Sequence, residues 1–456
     1  MAAKRQFQGG RAAAEAALAA IDPARYGASR NHLDGAVTGL SPWIRHGVLT
    51  LADVRQAVFS WLDDHGYNTP ERRSEGQRLA GRLINELGWR DYWQRLWQVL
   101  GDAIWHDLEP PKTGHAAHHY SPELPADLTE ARTGLACIDG FSTQLQEQGW
   151  LHNHARLWLG SYLVHWRRAQ WQVGARWFLQ HLLDGDPASN NLSWQWLASS
   201  FSSKPYIFNR ANLERFSAGR YCRRCPAARD GTCPFDASYE ALQAQLFAPQ
   251  SAAAATPAAS ATPAASAPPR PALRQHPSRP EAAPATDLAS RQPRQPVLWI
   301  HGEALGPTNP ALRAHPGRPA LFVLDAPLLD GQTGPSSSTG GLPLSPHRVR
   351  FLQECAAALP LEQRRGRVAA ELLRFARQHN ADAIVTSRAV DPRFAAISAE
   401  LEALQQGAPA VAQLPLISLE PEPFVALNEP VDLGRFSRYW RRAEARVWAG
   451  WHPPGL

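Results

Sequence analysis

The chain has 456 residues, 44% of them hydrophobic, a formal net charge of +6 and a pI of about 9.2. That length supports two or three domains, and the mild basic excess suits a polyanionic partner without naming one. Five Cys, an odd and sparse set, argue against a secreted disulfide scaffold. No apolar run is long enough to cross a bilayer, so the expected setting is the cytoplasm, with no membrane partner.

The N-terminal stretch MAAKRQFQGGRAAAEAALAAID reads as a short Ala-rich helix and lacks the apolar centre of a signal peptide. Further on, QRLAGRLINELGWRDYWQRLWQVL places Leu79, Leu83 and Leu87 at helical spacing, and residues 151–183 show the same period. Strand-like alternation is scarce up to Phe247, so residues 1–247 are expected to be a mainly α domain. Residues 248–296 are Ala, Pro and Ser with almost no large apolar side chain. Such a segment buries too little surface to offset its ordering entropy and is expected to be a disordered linker. Residues 297–456 then alternate strand and helix. PVLWIHG, ALFVLDAPLL, the end of VAAELLRFARQHNADAIVTSR and LPLISLEP read as strands, and SPHRVRFLQECAAAL as a helix with a Ser-Pro start. Strands separated by helices predict a doubly wound parallel α/β, Rossmann-like domain.

Chemistry concentrates between Asp184 and Trp196, DGDPASNNLSWQW. Acids and amides there suit a polar cofactor, while indoles stack on bases or pass electrons. An Asp-Gly turn followed by a capped helix explains the acids and amides but not the tryptophans. Thr38, Gly39, Leu40 and Ser41 precede Pro42 at a helix entrance, either as a simple cap or as a phosphate cradle.

Four segments taken together, VTGLSPWIRHGVLT, INELGWRDYW, GWLHNHARLW and DGDPASNNLSWQW, resemble the flavin-binding domain of DNA photolyases and cryptochromes in order and approximate spacing. LWIHGEALGPTNPAL and GRFSRYWRRA resemble the antenna domain of the same family, placed after the flavin domain instead of before it, as in a circular permutation. The resemblance implies FAD held by Tyr26, Thr38, Gly39, Leu40, Ser41, Arg156, Asp184, Asp186 and Asn190, with Asp186 facing ribityl or adenosine hydroxyls and Asn190 beside flavin N5. It also implies that Glu86, Trp89, Asn153 and Trp196 face a pyrimidine dimer. Leu157 stands where dimer-repairing members carry methionine. Asn153 replaces the histidine pair of (6-4) photoproduct enzymes, which favours dimer repair.

Trp194 and Trp171, 23 residues apart, match the inner members of the family's electron relay. The stretch where the outermost tryptophan belongs has none, so the relay is incomplete, or another group such as Trp166 or a tyrosine ends it. Cys222, Cys225 and Cys233, with Cys137 in a Thr-Gly-x-x-Cys setting, resemble the ligands of iron–sulfur photolyases. They suit a 4Fe–4S cluster, with zinc and plain structural thiols as alternatives. Cys355 reads as a core residue. The loop HGEALGPTNP lacks the Arg and Asp usual there, which leaves the antenna chromophore open. The expected function is blue-light-driven, FAD-dependent DNA photolyase activity on cyclobutane dimers, by a monomer whose partner is damaged DNA. The alternative is a cryptochrome-like photoreceptor with a signalling partner.

Overall fold

The computed structural model describes residues 6–247, 293–334, 340–407, 409, 413–427 and 429–451. Most of the expected linker lies outside the described residues. Its last residues do not. The backbone N–H groups of Arg294 and Gln295 donate to the Asp382 carboxylate at 2.6 and 3.0 Å, and Pro296 already begins a strand.

Residues 6–247 are helical. The longest helix, Pro70–Leu100, starts at an extended Thr69 with Pro70 and Glu71 in its first turn, and ends at Gly101 with φ +50. Both termini follow local chemistry: Pro needs no donor at the first turn, and Gly accepts a positive φ. Leu83, Ile84, Leu87, Tyr92 and Leu96 bury one side of it. Residues 151–183, expected to be continuously helical, are instead broken. Helix Asn153–Ser161 runs into a wide π turn, Tyr162–Trp166, and helix Trp171–His181 starts only after Arg168 at φ +48. Ser121 and Arg168 account for the break: the Ser121 N–H donates to the Arg168 carbonyl at 2.7 Å, and Gln170 N–H returns to the Ser121 carbonyl at 2.9 Å.

Residues 293–451 form a doubly wound α/β domain. Strands β1 (Pro296–Ile300), β2 (Ala320–Asp325), β3 (Glu362–Gly366), β4 (Ala383–Ser387) and β5 (Leu416–Leu419) make one parallel sheet in the order β3-β2-β1-β4-β5. The Ala326–Leu329 end of the expected second strand is a helical turn. Leu298, Ile300, Phe322 and Leu324 face the helical domain, whereas Val297, Trp299, Leu321 and Val323 face helix Val368–Gln378. This two-residue alternation, buried on both faces, is why the central strands read as unbroken apolar runs.

The two regions share one hydrophobic core. Helix Phe436–Ala449 lies against the long helix at Gly88, where a Cβ would stand 2.1 Å from the Trp440 ring. Glycine inside a helix costs roughly 1 kcal/mol against alanine, and this close approach is what it secures. Tyr92 donates to the Leu433 carbonyl at 2.8 Å, Tyr439 donates to Asp91, and the Trp451 indole donates to Asp63 at 2.7 Å.

Candidate active site

A cavity of about 560 Å³ opens in the helical domain, within the range of cofactor pockets. Its lining comes from four distant stretches: Tyr26, Thr38, Gly39 and Ser41; Glu86, Trp89 and Arg90; Asn153, Arg156 and Leu157; and Asp184 to Leu197. Of the residues expected to hold the coenzyme, face the dimer or relay electrons, Leu40 and Trp171 do not line it. Leu40 is buried in the core, and its N–H donates to Thr38 Oγ1 at 3.4 Å, so it shapes the turn from behind. Trp171 lies in the neighbouring core with Trp194.

Asp184 is buried and receives both its hydrogen bonds from Nη2 of Arg156, at 3.0 and 2.8 Å. Asp186 caps helix Pro187–Ala198. It accepts from the Ser189 N–H and hydroxyl at 3.0 and 2.7 Å and from Gln94 Nε2 at 2.7 Å. Burial drives this carboxyl upward, but Arg90, Arg45 and the Ser189 bonds outweigh it and hold it below the usual carboxylate range. These bonds fix the start of the helix at the cavity wall.

Asn190 commits its amide nitrogen to the Ala175 carbonyl at 3.1 Å and to Asn191 Oδ1 at 3.0 Å. The polar atom left to the cavity is its amide oxygen, an acceptor. Ser41 keeps its hydroxyl without a protein partner among the described residues. The donor set around the cavity therefore matches a coenzyme with phosphates, hydroxyls and ring N–H groups.

At the mouth, Glu86 forms an ion pair with Arg30. Burial, then the charge of Glu86, pushes the neighbouring Tyr26 phenol up to about 12. Trp89 stacks on Phe436 of the α/β domain with centroids 3.8 Å apart. Trp196 is the exposed indole, 41% accessible, beside Tyr206. Asn153 is exposed on the same rim.

Residues 83–225 match the model of the FAD binding domain of DNA photolyase. The helical region is similar to the FAD-binding domain of the photolyase/cryptochrome family. The chain is 32% identical over 204 residues to a deoxyribodipyrimidine photo-lyase of Synechococcus sp., covering 43% of this chain and 40% of that protein. It is 32% identical over 215 residues to that of Escherichia coli, covering 46% and 42%. The chain thus spans less than half the length of these relatives. A cryptochrome structure from Synechocystis sp. superposes with a TM-score of 0.40 at 22% identity, covering 49% of this chain and 46% of that one.

Beyond the photolyase-type cavity, Cys137, Cys222, Cys225 and Cys233 line one small apolar pocket with Leu135, Leu213 and Phe235. Burial raises the Cys137 thiol and pushes Cys222 up to about 11, and the nearby cysteines add to both effects. Among the described residues no group of three His, Cys, Asp or Glu side chains is placed to hold a metal ion. Trp166 donates to the Pro234 carbonyl at 3.3 Å and packs on Phe235, so it belongs to this pocket. Cys355 is core, as expected.

At the sheet's switch point, between β1 and β4, a cavity of about 120 Å³ contains the Arg393–Asp325 ion pair, at 2.7 and 2.9 Å. Trp299 and Phe394 stack over it at 5.2 Å. That volume is below the ~300 Å³ at which typical ligand pockets begin. The loop after β1 also contacts the helical domain. Glu303 pairs with Arg45, and Leu305 N–H donates to the His46 carbonyl at 2.8 Å.

Sequence reasoning missed Arg45, Arg90 and Gln94, the partners of Asp186. It also missed Arg348 and Asp107, which touch the site from the other domain and from a loop. Arg45, Arg90 and Arg348 fall inside segments quoted above, but nothing in those segments shows which distant residue each one contacts.

Proposed function

We propose that this chain binds FAD in the helical cavity and uses blue light to split cyclobutane pyrimidine dimers in DNA. The observation that carries the reading is the layout of one cavity: the acid–arginine pair and an amide acceptor line its wall, and Glu86, Trp89, Asn153 and Trp196 ring its mouth. When bound, FAD supplies light absorption and the transferable electron.

The chain's residues do the remaining work. Thr38 and Ser41 hold phosphate oxygens. Arg156 holds Asp184 in place through its two hydrogen bonds, and the Asn190 oxygen accepts a coenzyme N–H. Trp89 and Trp196 flank an extruded pyrimidine dimer, as apolar pockets do for flipped bases, and Leu157 lines the cavity beside them. Glu86 exchanges Arg30 for the edges of the damaged bases. Closing the mouth with apolar rings excludes water, which protects the charge-separated state.

Outside the mouth, Arg78, Arg82 and Arg441 border a groove between the long helix and helix Phe436–Ala449. All three are exposed and have no carboxylate partner among the described residues. They suit phosphate contacts that lead duplex or single-stranded DNA to Glu86. No helix of the described residues is long and apolar enough to cross a membrane, and the chain acts as a monomer in this reading. Cys137, Cys222, Cys225 and Cys233 are the residues that would hold a 4Fe–4S cluster, which would supply a structural tie between helix Ala136–Gln148 and the Cys222–Cys233 loop.

A photoreceptor reading draws on one feature: Glu86 and Trp89 are both already engaged, by Arg30 and Phe436. Illumination of FAD-loaded full chain with dimer-containing DNA separates the two. Loss of dimers supports repair. Photoreduction with intact dimers supports signalling and contradicts repair.

A further inference from the structure

We propose that Asp107 is the proton acceptor of Trp171, and that Trp171 thereby ends the electron relay in place of an outermost tryptophan. This rests on the flavin reading above. The Trp171 indole N–H donates to Asp107 Oδ1 at 2.8 Å. The indole is 4% exposed, inside the apolar core it shares with Trp194, whereas Asp107 lies at the surface. One side of the pair is therefore dry and the other meets water.

Trp194 approaches the same helix. A Cβ at Gly174, one turn after Trp171, would stand 2.3 Å from the Trp194 ring. Beyond Trp171, no aromatic ring pairs with it among the described residues. Trp166 faces the cysteine pocket instead. The relay needs an end at Trp171, and the carboxylate supplies one.

The step balances as follows. Trp194 gives one electron to the photoexcited oxidised flavin, and Trp171 gives one electron to Trp194. A radical cation in an apolar core is costly without a counter-charge, and loss of the electron makes the indole N–H strongly acidic. The Nε1–H bond breaks, its electron pair stays on nitrogen, and the proton passes to Asp107 Oδ1. Asp107 releases that proton to water. A neutral tryptophanyl radical has no positive charge to draw the electron back. An external thiol later returns a hydrogen atom and becomes a thiyl radical.

Carboxylate–indole bonding alone does not define the site. Trp451 donates to Asp63 at 2.7 Å, but it packs on Phe59 and Trp448 away from the coenzyme cavity. It is an internal control for the spectroscopy.

The test is Asp107→Asn in the full chain, with FAD stoichiometry measured first. The amide oxygen still accepts the indole hydrogen bond but cannot take the proton. In dark, flavin-free protein, the Trp171 indole ¹⁵N–H resonance should move upfield in the variant while that of Trp451 stays in place. After a flash on FAD-loaded protein, the parent chain should show the neutral tryptophanyl radical, formed more slowly in D₂O. The variant should show the radical cation, with a lifetime shorter by on the order of 10²-fold, the low end of what a positioned proton acceptor contributes. Trp171→Phe should remove both forms of the Trp171 radical and leave only a short-lived Trp194 radical cation. An unchanged radical form and lifetime in Asp107→Asn, with FAD bound, overturns the inference and leaves the functional reading standing. A tyrosyl radical as the final species also overturns it. Failure of the parent chain to bind FAD overturns both.

Discussion

Arg348 of the α/β domain donates through Nη2 to the carbonyl of Gly185 at 2.9 Å, inside the short loop that carries Asp184 and Asp186. The same guanidinium reaches the Leu179 carbonyl, and Arg45 Nε shares the Gly185 oxygen at 2.9 Å. His347 Nε2 lies 2.8 Å from the His181 carbonyl, and the Ser345 N–H donates to Gln180 at 3.0 Å. The start of one α/β helix therefore grips the coenzyme loop from behind. Burial, then the charge of Arg45, lowers the Arg348 guanidinium to about 9, so the grip is held against an electrostatic cost.

Arg348→Met should release this loop while leaving the apolar packing of the helix in place. Hydrogen bonds to a charged donor contribute about 1.5–3 kcal/mol each, so FAD affinity should fall by on the order of ten- to a hundredfold. Fluorescence titration with FAD, alongside circular dichroism to confirm the fold, checks this. Unaltered affinity would mean that the loop holds its shape alone.

Gly88→Ala should destabilise the whole chain. The added methyl meets the Trp440 ring, and overpacking of this kind costs about 1–3 kcal/mol. A lower Tm and a shift in tryptophan emission are expected, and Gly81→Ala, with open space around it, should be neutral or slightly stabilising.

Acidification should unfold the protein well above the carboxylate range. Burial pushes His154, His165 and His181 each down to about 4, from an ordinary 6.5. Arg30 adds to the effect at His154, and His347 and Arg348 add to it at His181. With native values below unfolded ones, the unfolded chain binds more protons between them. Stability is complete above pH 6.5 and is lost as pH falls toward 4. For the fully buried His165 the slope is about 1.4 kcal/mol per pH unit. Urea midpoints at pH 8, 6.5 and 5 should be flat across the first interval and drop across the second.

Arg78→Ala and Arg82→Ala should weaken DNA binding regardless of sequence. Each should reduce the slope of log affinity against log salt by about one. Equal slopes for parent and variants would place the phosphate path elsewhere.

Much of this architecture is legible in the sequence, and the exceptions share a cause. Strands β1, β2 and β4 are buried on both faces, so their apolar runs stand out. Strand β3, EQRRG, is a charged edge that pairs only with β2, and nothing in its composition signals a strand. Helical periodicity through 151–183 hides the break at Arg168 because the π turn keeps Leu163 and Val164 buried. The cavity residues were readable because they fall in compact motifs. Arg348 and Asp107 were not, since their partners lie 163 and 64 residues away. The loop His301–Pro310 looked like a degraded ligand loop. It is a docking loop, in which Gly306 lies so close to the Gly47 carbonyl that a Cβ would stand 2.1 Å from it.

The central claim is that the cavity bounded by Thr38, Asp184 and Asn190 is a flavin site. Equilibrium dialysis of the full chain with FAD in the dark tests it directly, with Asp184→Ala in parallel. The account predicts one FAD per parent chain and a loss of binding when Asp184 no longer anchors Arg156. A parent chain that takes up no FAD, or a variant that binds it equally well, would contradict it.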